Sequence, residues 1–141
     1  MLKHKPTPGN CYYDSFMIFT GLELEDGETT VHLVHGYPRL TKADQEGNPE
    51  GSLFGHAWLE KTKPSEIPGW DSVSVFDIYV EEYIPKKVYY KVGRVSENFV
   101  RRYTLPEAYS LVGTHENAGP WEDAPAEAVF SKSNPKHEEQ V

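Results

Sequence analysis

Three side chains in this sequence have the types needed for nucleophilic acyl chemistry. They are the single cysteine, Cys11, one of the six histidines, His56, and the aspartate Asp77. A cysteine attacks as its thiolate, and a helix N-terminus stabilises that anion with unpaired N–H groups and the positive end of the macrodipole. Asn10 is a favourable N-cap residue, and Tyr12, Phe16 and Phe19 follow at helical spacing, so Cys11 is expected to be the first residue of a short helix ending near Gly21. His56 lies in Phe54-Gly-His-Ala-Trp-Leu-Glu60, a β-prone run whose glycine permits close backbone approach. A thiol needs a base, and a base needs a third group to hold its tautomer. A hairpin folded symmetrically about Glu66 and Ile67 would set Asp77 directly opposite His56 on the same sheet face. The Cys11 N–H and the Asn10 amide are candidate oxyanion donors, although an Asn10 side chain used as the cap could not serve both purposes. Asp14, in the first turn, is expected to face solvent, since its charge would oppose a thiolate.

The elements that must position these groups follow from periodicity and turn residues. Thr29 to His35 reads as a strand, residues 41 to 52 as a polar loop able to act as a flap, and Leu53 to Lys61 with Asp71 to Val80 as a hairpin. Pro85 to Val92 reads as a short helix and Phe99 to Tyr103 as a strand. Thr104-Leu-Pro-Glu107 is a capping box that opens a helix to about Val112. The expected order is α-β-β-β-α-β-α, an α+β domain over residues 1 to 121. Residues 122 to 141 are expected to be an acidic, poorly ordered tail.

Composition narrows the classes of function. The 141 residues carry 14 basic and 22 acidic side chains, a formal net charge of −8, which argues against a phosphate-binding surface and hence against nucleic acid as a partner. One cysteine cannot form an internal disulfide, and no apolar window approaches the roughly 20 residues that span a bilayer. The expectation is a cytoplasmic protein with no membrane partner. His32 and His35, three apart on a strand, point to opposite faces and are poorly arranged to share a metal, so neither metal nor cofactor is expected. His35 is a candidate pocket residue. Tyr12, Tyr13, Phe54, Trp58 and Trp70 are expected in the core and cleft wall, with Trp58 shielding His56 from water. Lys86, Lys87, Lys91, Arg94, Arg101 and Arg102 form the one basic stretch, able to dock an acidic partner.

Cysteine at a helix start, His-Ala-Trp-x-Glu on a strand, then Gly-Trp and an aspartate resembles the papain-like superfamily, most specifically its transglutaminase-like branch. The matching residues are Cys11, His56, Ala57, Trp58, Glu60, Gly69, Trp70 and Asp77, and the resemblance spans roughly residues 9 to 80. Gly9-Asn10-Cys11-Tyr12-Tyr13 separately resembles the nucleophile segment of ovarian-tumour-type deubiquitinases. The resemblance implies a compact papain-like core with the nucleophile helix packed on an antiparallel sheet. It also implies a Cys-His-Asp triad of Cys11, His56 and Asp77 and an acyl-thioester intermediate. The expected activity is that of a cysteine protease, isopeptidase, amidase or deamidase acting on a protein, a peptide or a small amide. The alternative is a catalytically inactive domain that binds a protein through the Trp58 cleft or the basic stretch.

Overall fold

In the computed structural model, residues 10–22 and 29–129 are described. Among them the chain forms an α+β fold of three α-helices and a five-stranded antiparallel sheet. Helix α1 (Cys11–Gly21) is followed by β1 (Thr30–Gly36), β2 (His56–Lys63), β3 (Ser72–Asp77) and β4 (Glu82–Pro85). Then come α2 (Lys86–Gly93), a 3-10 turn (Glu97–Phe99), β5 (Arg101–Tyr103) and α3 (Leu105–His115). The sheet order is β4-β3-β2-β1-β5. Strand β4 is absent from the sequence-based reading. It is four residues long and follows a tight turn in which Glu81 adopts a left-handed φ of 58°, too short a run to show a period.

The two-residue periodicity of the strands sorts side chains to two faces. On one face Leu33, Ala57, Leu59, Phe76 and Ile78 form a core with Tyr12, Phe16 and Phe19 of α1, and α3 adds Ala108. On the other, Val34, Trp58 and Val75 pack with Val100 and with Tyr89 and Tyr90 of α2. The sheet is thus covered by α1 and α3 on one side and by α2 on the other. The capping box is present: the Glu107 N–H donates to the Thr104 hydroxyl at 3.3 Å, and the Thr104 N–H to the Glu107 carboxylate at 2.9 Å.

Buried charge fastens the α2 side. Glu60, 2% exposed, accepts from Trp58 Nε1 at 3.1 Å and Arg102 Nε at 2.7 Å, and also from the Tyr90 hydroxyl. Arg102 continues to Glu97 at 2.8 Å, and Lys86 reaches the same carboxylate at 2.9 Å. Two members of the basic stretch are therefore spent on internal ion pairs.

Several expectations are corrected. Asp14 is not outward-facing: it is 1% exposed on the buried side of α1. Trp70 is no cleft wall, being 73% exposed in the β2–β3 connection, where too few neighbouring elements exist to cover it. The chain past Trp121 does not leave the domain at once. Glu122 meets His35, and the Val129 N–H donates to the Leu53 carbonyl at 2.8 Å. The remainder of the expected tail, residues 130 to 141, lies outside the described residues. No helix among the described residues is long and apolar enough to cross a membrane.

Candidate active site

Cys11 occupies the first position of α1, where helix N–H groups are unpaired within the helix. Asn10 caps through its backbone, with its carbonyl accepting the Asp14 N–H at 2.8 Å, and its side chain makes no capping bond. Helix α1 packs over the face of β2 opposite to His56, so its N-terminus must lie low over the beginning of that strand to bring Cys11 near the histidine. Gly55 permits this approach: a Cβ there would come within 2.5 Å of the Tyr12 hydroxyl. Ser15 adds a second tether, its hydroxyl donating to the Ala57 carbonyl at 3.2 Å.

His56 opens β2, and Asp77 closes β3. The strands pair with Leu59 opposite Phe76 and Lys63 opposite Ser72, a register displaced by two residues from the symmetric hairpin. Two residues is one full strand period, so Asp77 stays on the face of His56, diagonal to it rather than opposed. The imidazole spans the diagonal, and His56 Nε2 lies 2.9 Å from Asp77 Oδ2. Nδ1 is then the nitrogen that remains for the thiol, with which His56 makes a side-chain hydrogen bond.

Asp77 is held from three directions. Besides His56, the Tyr89 hydroxyl donates to Oδ2 at 2.6 Å and the Tyr79 N–H to Oδ1 at 3.0 Å. Tyr89 is a site residue that the sequence did not disclose; one tyrosine among nine, on an eight-residue helix, carries no distinguishing spacing.

The electrostatics favour a charged pair. Burial opposes a charge on His56, but its hydrogen bonds to Asp77 and with Cys11, and its electrostatic attraction to both, outweigh that, raising the imidazole to about 10. Burial likewise opposes ionised Asp77, yet the His56 bond and charge, with the Tyr89 and Tyr79 donors, hold it at about 2. Between those limits the imidazolium and the carboxylate coexist.

Cys11, His56 and Asp77 all line one cavity of about 570 Å³. Its lining includes Thr41 and Asp44, so the polar loop of residues 41 to 52 borders the site. Asp44 folds that loop by accepting from the Glu46 and Asn48 N–H groups and from Asn48 Nδ2, each at 2.9 Å. Four residues assigned to the oxyanion site or pocket from sequence, Asn10, Tyr12, Trp58 and His35, do not line it. Tyr12 and Trp58 are wholly buried, one in each core. Trp58 sits behind His56 with ring centres 6.0 Å apart. His35 is also wholly buried, on the α1 face, with Nδ1 at 3.2 Å from the Glu122 carboxylate. The strand alternation that puts His56 on one face puts His35, paired with Ala57, on the other.

Among the described residues no group of three His, Cys, Asp or Glu side chains is arranged to hold a metal ion. Comparison with protein-family models, with curated proteins and with solved structures finds no match to this chain.

Proposed function

We propose that this protein is a cysteine-dependent acyl-transfer enzyme of papain-like, most nearly transglutaminase-like, design, with Cys11 as nucleophile, His56 as base and acid, and Asp77 as the orienting carboxylate. The observation that carries the reading is the continuous relay from the Cys11 thiol through His56 to Asp77 and Tyr89, set at the wall of a cavity large enough for a small ligand. In this reading the thiol proton already sits on His56 as the imidazolium of a Cys11–His56 ion pair, and the sulfur forms a bond to the carbonyl carbon of an amide or ester. The tetrahedral oxyanion is met by N–H groups at the start of α1. The imidazolium then gives its proton to the departing amine or alcohol as the carbon–heteroatom bond breaks, leaving a thioester on Cys11. Water or an amine, deprotonated by His56, resolves it. Asp77 keeps the imidazole oriented and supports its charge throughout, and Tyr89 keeps Asp77 oriented. The alternative is a non-catalytic module that binds a protein through a Trp58 cleft or the basic stretch; Trp58 is wholly buried, and two of the six basic residues, Arg102 and Lys86, are held in internal ion pairs.

The test is intact-protein mass spectrometry after incubation with p-nitrophenyl acetate. The expected result is a single acetyl adduct on wild type, absent from Cys11→Ala and formed far more slowly in His56→Ala. Equal acetylation of wild type and His56→Ala would contradict the proposal.

A further inference from the structure

Resting on that reading, we infer that the acyl group delivered to Cys11 carries an unbroken aliphatic chain, accommodated against α2. The cavity wall beyond the triad is built of Leu40, Phe54, Val80, Ile84, Val88 and Val92. Two of these, Val88 and Val92, are four apart on one stripe of α2, a helix with no buried residue of its own. They remain 51% and 62% exposed, and Val80 across the cavity is 48% exposed. An apolar stripe on a surface helix normally faces a core, but here it faces the space beside the thiol. The two charged side chains of the lining outside the triad are turned to their own loop. Arg39 Nη1 donates to the Gly51 carbonyl at 2.8 Å, and Asp44 receives the three bonds that fold residues 44 to 48. A polar or charged acyl group would lose water against this wall without gaining partners, whereas an alkyl chain would cover the valines. A volume of about 570 Å³ leaves room for a chain of medium length beside the reacting carbonyl.

The same aliphatic chemistry reaches a thiol from two sources, a fatty acyl ester or thioester and a peptidyl group with an apolar side chain, and two substrate series separate them. Acylation rates are measured with p-nitrophenyl acetate, butyrate, hexanoate and octanoate, and with the p-nitrophenyl esters of N-acetylglycine and N-acetylleucine. The expected result is a rise of about fourfold per methylene along the linear series, the equivalent of about 0.8 kcal/mol for each buried CH₂. A Val88→Trp variant, which fills the wall from a half-exposed position, lowers the octanoate-to-acetate ratio. A rise only from the glycine to the leucine ester assigns the chain to a peptidyl source and overturns the linear-chain assignment. Acylation that is flat along both series overturns the inference while leaving the catalytic reading intact. Binding of octanamide and acetamide to Cys11→Ala, followed by calorimetry, is independent of catalysis. Tighter binding of octanamide supports the pocket even if no ester acylates the protein, and equal binding contradicts it.

Discussion

The molecule contains two histidine–carboxylate pairs on neighbouring strands, and they are built from the same parts. His56 meets Asp77, which also accepts from the Tyr89 hydroxyl at 2.6 Å; His35 meets Glu122, which also accepts from the Tyr103 hydroxyl at 2.6 Å. In both, the histidine holds the carboxylate below its ordinary range against the opposing effect of burial. What differs is the surroundings of the second ring nitrogen. At His35 it is sealed: the ring is enclosed by Tyr12 at 4.8 Å, Tyr103 at 5.2 Å and Trp121 at 4.8 Å, with the backbone of Gly119 against its edge. His35 Nε2 has no hydrogen-bond partner among the described residues. At His56 the second nitrogen serves the thiol on a cavity wall. The same pair of groups is thus a clamp where strand alternation buries it and, in the proposed reading, a proton carrier where it meets Cys11 and a cavity. The clamp ties residues 119 to 122 to the sheet, and the carrier supports the proposed reaction.

Removing each histidine separates these roles most strongly. His56→Ala is expected to lower acylation of Cys11 by about 10²–10⁴-fold, the usual contribution of a general acid–base group. His35→Ala is expected to leave that rate nearly unchanged but to cost about 1–3 kcal/mol of stability, because Glu122 loses its buried partner. Stopped-flow acylation and urea unfolding of the two variants provide the comparison. Equal effects on rate would erase the distinction between the pairs.

The tyrosines give a smaller version of the same contrast. Tyr89→Phe frees Asp77 to rotate and is expected to reduce acylation about tenfold, with rescue of orientation absent at every pH. Tyr103→Phe is expected to cost about 1 kcal/mol of stability with no kinetic effect. The readouts are kcat for acetyl transfer and the denaturant midpoint.

The pH dependence of stability tests the His56–Asp77 pair itself. His56 is raised to about 10 in the folded protein, so its stabilising contribution is complete below its unfolded value near 6.5 and is lost as pH rises through about 10. Asp77 is lowered to about 2, so its contribution is present above its unfolded value near 3.9 and is lost as pH falls through about 2. Thermal melts should therefore show the Tm advantage of wild type over His56→Gln shrinking steadily from neutral pH toward pH about 10. An advantage that grows over that interval would reverse the sign of the linkage.

The α+β class was legible because its signals are local: a capping box at Thr104, turn residues around the hairpin, and helical spacing of Tyr12, Phe16 and Phe19. The approach of His56 to Asp77 was legible for a subtler reason. The connection is centred one residue later than the symmetric guess, pinned by the Ser65 N–H donating to Asp71 at 2.9 Å and by Gly69 at a φ of 83°. A one-residue shift of the centre moves the register by two and preserves the face. What remained hidden depends on tertiary contact. Asp14 on the buried side of α1, His35 sealed by Trp121, and Tyr89 reaching Asp77 are brought together by segments distant in sequence. The same holds for Val129 beside Leu53, which no periodicity of the C-terminal segment foretells.

The most direct test of a working thiol–imidazole pair is the rate of Cys11 alkylation by iodoacetamide as a function of pH, in wild type, His56→Ala and His35→Ala. A paired thiol predicts rapid alkylation of wild type and His35→Ala at pH about 6, where a free thiol reacts slowly, and at least a tenfold loss in His56→Ala. A free-thiol profile shared by all three proteins would contradict it.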